Sequence, residues 1–69
     1  MNSILDIREM LKRYGTFIYV GDRIADLEIM QDEVRELYQS KLIDANEFKQ
    51  AVLILRGQIE IEKHKQNKQ

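Results

Sequence analysis

The chain has 69 residues, of which 43% are hydrophobic and 33% charged, with a formal net charge of −1. That length suffices for one small domain and excludes a large enclosed core. The absence of cysteine excludes disulfides and Cys-based metal sites, and the near-neutral balance excludes a protein-wide basic field, so any anion site has to be a local patch.

Residues 4–14 predict a first helix, with Ile4, Ile7, Met10, Leu11 and Tyr14 recurring at helical spacing along one face. Ser3 is placed to cap its start, and Gly15 suits the left-handed residue that ends a helix. Asp6, Arg8 and Glu9 break the apolar run that a secretory signal would need, and no stretch approaches the ~18 apolar residues of a membrane span. A cytoplasmic protein that does not enter a membrane is the expectation.

The next stretch, "TFIYV", lies between Gly15 and Gly21 and has the β-branched and aromatic content of a strand. Nothing else in the chain reads as a strand to pair with it. An extended connector is therefore expected, burying Phe17 together with Ile18 or Val20 against the helices. Alternation would then turn Tyr19 and Thr16 outward, or the reverse set.

Residues 23–41 predict a second helix, N-capped by Asp22, with Ile24, Leu27, Met30, Val34, Leu37 and Tyr38 in a broad apolar stripe. Its opposite face carries Asp26, Glu28, Asp32, Glu33 and Glu36, interrupted by Ile29. Such a face reads as solvated, because Glu28 and Asp32 are four apart with no chelating loop. The short link "SKLID" makes the second and third helices antiparallel neighbours.

The third helix is expected from residue 45 to about 62, opened by Asp44 and Glu47 at the spacing of a capping box. Phe48, Ala51, Val52, Leu55 and Ile59 form its main stripe, while Leu53, Ile54 and Ile61 fall off it. Gly57 either admits a close neighbour or is tolerated at about 1 kcal/mol relative to alanine. Residues 63–69, "KHKQNKQ", lack periodicity and read as a disordered basic tail, leaving residues 1–62 as the domain. The fold class is all-α, a three-helix bundle with an extended apolar connector between helices 1 and 2.

The stretches "YGTFIYVGDRIADLE", "ELYQSKLID" and "AVLILR" resemble the YqgQ-like family of short bacterial proteins. The likeness runs from residue 4 to about 60, and the glycine-bracketed connector followed by "DRIADLE" is its most specific part. It implies a three-helix bundle and suggests binding of single-stranded DNA or RNA. It brings no catalytic residues.

The residues weigh several chemistries. Arg8, Lys12, Arg13, Tyr14, Tyr19 and Arg23 form a basic-aromatic set, with Lys63, Lys65 and Lys68 as further cations. Single strands are held by cations along the backbone and by rings on which bases stack. Arg8 and Lys12 repel each other one turn apart on a helix and tolerate each other better around an anion. Against this, Lys12 and Arg13 suit a helix C-terminus in any case, Glu9 can pair with Arg13, and Asp22 or Asp26 with Arg23. "GTFIYVGD" is a poor phosphate loop, because bulky residues fill the interval and Asp22 stands at the helix start. The single histidine, His64, lies in the tail, and Ser3 and Ser40 have no activating partner, so no enzyme and no cofactor are expected. Leu53, Ile54 and Ile61, joined by Leu5 and Ile29, offer an alternative: a small adaptor or homodimer that uses the apolar face of helix 3.

Overall fold

A computed structural model describes residues 2–66. Three helices follow in order: α1 (Ile4–Arg13), α2 (Arg23–Gln39) and α3 (Ala45–Gln66), with no strand among the described residues. The expected all-α three-helix bundle is what the chain forms.

The helix starts follow from local chemistry. The backbone N–H of Asp6 donates to Ser3 Oγ at 3.4 Å, and that of Ala25 to Asp22 Oδ1 at 3.0 Å. At α3 the capping box is complete: Glu47 N–H donates to Asp44 Oδ1 at 2.8 Å, and Asp44 N–H to Glu47 Oε1 at 3.1 Å. The first two helices end in the same motif. After α1, Gly15 N–H donates to the Lys12 carbonyl and Thr16 N–H to that of Leu11, both at 2.9 Å, with Gly15 at φ 82°. After α2, Lys41 N–H donates to the Tyr38 carbonyl and Leu42 N–H to that of Leu37, with Lys41 at φ 63°. Here a lysine occupies the left-handed position that glycine usually fills.

The α2–α3 antiparallel pair is the larger packed unit, and α1 lies across both helices. Leu27, Met30 and Val34 of α2 meet Ala51, Leu55 and Ile59 of α3, and Ile7, Met10 and Leu11 of α1 close the core. Ile43, in the turn between α2 and α3, plugs the near end. Tyr38 and Phe48 stack at that end, with ring centroids 4.4 Å apart and planes 9° apart. At the far end, Arg23 Nε lies 3.6 Å from Glu62 Oε2 and joins the start of α2 to the last turns of α3.

Four expectations change. α3 continues to Gln66, past the boundary expected at about 62, so Lys63 and Lys65 are helical. Lys63, His64 and Lys65 complement the negative end of the helix dipole, and Glu62 accepts from Gln58 Nε2 at 3.1 Å and pairs with Lys65 at 3.6 Å. Lys68 lies outside the described residues. Asp26 leaves the acidic face and is buried, because the connector folds back over the first turns of α2. Phe17 is 78% exposed rather than buried, and Ile18 alone of the connector packs against the core. Ile54 also packs against the core, which removes it from the apolar surface expected on α3. A Cβ built on Gly57 meets nothing within 4 Å, so that glycine is tolerated and holds no neighbour close.

Candidate functional site

The connector is the only extended stretch among the described residues between helices, and two side chains hold its backbone. Arg8 Nη1 of α1 donates to the Ile18 carbonyl at 3.3 Å. The Asp26 carboxylate of α2, only 4% exposed, accepts the Val20 N–H at 2.8 Å through Oδ1. A backbone N–H donating to a carboxylate oxygen makes a strong anchor for an otherwise unpaired connector amide. Ile18 turns inward between these clamps, and strand alternation sends its neighbours Phe17 and Tyr19 the other way. Tyr19 is 86% exposed.

Between α1 and the connector lies a groove of about 260 Å³ lined by Arg8, Leu11, Lys12, Thr16, Phe17, Ile18, Tyr19 and Met30. Leu11 and Met30 are buried and form an apolar floor. Phe17 and Tyr19 supply rings at the rim, and Arg8 and Lys12 supply two cations one helical turn apart. Arg8 spends one N–H on Ile18, and a guanidinium carries five, so its remaining donors stay available in a fixed orientation. Lys12 has one acidic neighbour, Glu9, at 3.9 Å, and both side chains are more than half exposed, so the pair holds it weakly.

The groove thus gathers Arg8, Lys12 and Tyr19 from the residues singled out in the sequence and adds Phe17. It does not gather the other three. Arg13 lines a separate recess with Asp6, Glu9, Met10 and Glu47, an acidic setting. Tyr14 is partly exposed but donates its hydroxyl to the Leu42 carbonyl at 3.2 Å, which ties the end of α1 to the α2–α3 turn. Arg23 faces Glu62 at the far end of the bundle rather than Asp22 or Asp26, and Lys65 shares that carboxylate. Phe17 is the lining ring that sequence reasoning missed, and its parity with Tyr19 was the available signal. On α3, Leu53 and Ile61 are 63% and 51% exposed. Among the described residues no three His, Asp or Glu side chains gather closely enough to hold a metal ion, and no helix is long and apolar enough to cross a membrane.

Fold and groove together define a small three-helix protein with a cation-and-aromatic cleft built by a clamped connector. A model of the YqgQ-like family matches residues 1–61. A relative from Bacillus subtilis (strain 168), named "Uncharacterized protein YqgQ", is 37% identical over 60 residues, which is 87% of this chain and 84% of the relative. The chain belongs to the YqgQ-like family.

Proposed function

We propose that this chain is a non-catalytic cytoplasmic module that binds single-stranded nucleic acid, DNA or RNA, in the groove between α1 and the connector. One observation carries the reading: two exposed rings, Phe17 and Tyr19, stand beside Arg8 and Lys12 over an apolar floor. Large rings cost free energy in water, and a clamped backbone that holds two of them outward suits a ligand with flat faces and negative charge. The overall charge of −1 limits the attraction to this patch. Arg13, Tyr14 and Arg23 are peripheral to it and contribute little.

The test is fluorescence anisotropy of labelled single-stranded oligonucleotides at several salt concentrations. Binding should weaken steadily as salt rises. Tyr19→Ala should reduce affinity by about 5- to 150-fold, the equivalent of one stacked base at about 1–3 kcal/mol, while circular dichroism stays unchanged. Absence of any salt-sensitive signal at protein concentrations up to the millimolar range would defeat the reading. The alternative, an adaptor docking a protein on α3, keeps exposed Leu53 and Ile61 but loses Ile54 to the core, and is the weaker of the two.

A further inference from the structure

We infer that the groove takes a single nucleotide unit of a strand, an unpaired base with its own phosphate, and does not track an extended stretch of backbone. The inference rests on the nucleic-acid reading above and narrows it.

Volume is the first argument. At about 260 Å³ the groove has room for about one base and its phosphate against its floor, and its open side leaves the rest of a strand outside the grip of Arg8 and Lys12. Charge is the second. A backbone-tracking protein needs a row of cations, and among the described residues only Arg8 and Lys12 line the groove. Beyond Arg8 and Lys12, the next cation along α1 is Arg13, which shares its recess with Asp6, Glu9 and Glu47. Arg23, at the start of α2, does not line the groove and is held at Glu62. A second phosphate leaving the groove toward Arg13 meets carboxylates before it meets another unshared cation. Position is the third. Arg8 is held at the Ile18 carbonyl, so its guanidinium and the two rings belong to one assembly in which ring face and cation are presented together. A base against Phe17 or Tyr19 places its phosphate near the Arg8–Lys12 pair, where an anion also relieves their mutual repulsion.

The salt dependence separates this from a tracking site. Single-strand binding loses affinity with a slope of about −0.7 per phosphate neutralised, so one phosphate shared by Arg8 and Lys12 gives about −0.7, whereas four phosphates tracked along Arg8, Lys12, Arg13 and Arg23 give about −2.8.

The experiment is an NMR titration of the full chain with 5′-phosphorylated oligothymidylates: a dimer, a tetramer and an octamer, each at several salt concentrations. Expected are shifts at the Arg8, Lys12 and Tyr19 signals with the dimer already, and a slope of about −0.7. Affinity per binding register should then change by less than about threefold from dimer to octamer, since added residues neutralise no further phosphates. A per-register gain above about tenfold with length, or a slope of about −1.4 or steeper, overturns the single-unit inference and leaves strand binding standing. No shift with any length overturns both.

Discussion

Removal of the Asp26 carboxylate tests the device that builds the groove. Asp26 sits in the first turn of α2, 4% exposed, and its Oδ1 accepts the Val20 N–H at 2.8 Å. A hydrogen bond to a charged group contributes about 1.5–3 kcal/mol. A carboxylate in the first turn of a helix adds about 0.3–1 kcal/mol through the dipole. Val20 is exposed, so its freed N–H can turn to water, which places the expected loss at the lower end. Asp26→Ala should therefore cost about 2 kcal/mol, a fall in Tm of roughly 8–16 °C for a domain of this size. Asp26→Asn keeps an acceptor and gives up the charge, and should cost about 1 kcal/mol. Thermal unfolding by circular dichroism reads both. Hydrogen exchange supplies the local test: Val20 lies in no helix, yet its amide should exchange slowly in the native chain and in Asp26→Asn. In Asp26→Ala it should exchange at the random-coil rate. A Val20 amide that is already unprotected in the native chain, or equal stabilities for the two variants, would refute the clamp.

Other substitutions probe the frame around the groove. Gly57→Ala, in open space within α3, should stabilise by about 0.8–1 kcal/mol and raise Tm by about 4–8 °C. Lys41→Gly removes a side chain from φ 63° and should stabilise by roughly 0.5–1 kcal/mol, read by urea unfolding with an unchanged slope. Met30, fully buried beneath the groove, should cost about 2–5 kcal/mol as Met30→Ala but less than about 1.5 kcal/mol as Met30→Leu, which retains the volume.

Local signals carried most of the fold. Ser3, Asp22 and the Asp44–Glu47 pair mark helix starts because a side-chain oxygen next to free N–H groups is legible in one or two residues. Lys41 shows where that legibility ends: the α2 terminus has the same hydrogen bonds as the α1 terminus, but no glycine announces it. The site was less legible for a physical reason. A period of two tells that Phe17 and Tyr19 share a side, and says nothing about which side faces the core. The exit direction from the Gly15 turn and the two clamps decide that, and the clamps join the connector to residues six and ten positions away on the flanking helices, a spacing that no periodicity announces. Asp26 was misplaced on the same ground. A helical wheel assigns faces from neighbouring helices, whereas here a non-helical segment covers the face that carries Asp26.

The groove also sits at the least independent part of the fold, and this connects stability to binding. α1 has ten residues, below the roughly 12–15 at which an isolated helix becomes marginal, and it buries only Ile7, Met10 and Leu11. Its position depends on the α2–α3 pair beneath it and on the bonds Arg8 to Ile18 and Tyr14 to Leu42. Arg8 and Lys12 belong to α1, while Phe17 and Tyr19 belong to the connector, so the groove exists only while α1 is docked. Any ligand that touches both sides binds the docked form alone. By linkage such a ligand at 100 times its Kd adds about 2.7 kcal/mol to the stability of the docked state. That gain falls on α1 and the connector first, so slowed exchange at Met10 and Leu11 is where binding should register even if the global Tm moves little. A ligand that bridges α1 and the connector would thus fasten both to the α2–α3 pair, and unchanged exchange at Met10 and Leu11 on binding would refute that coupling.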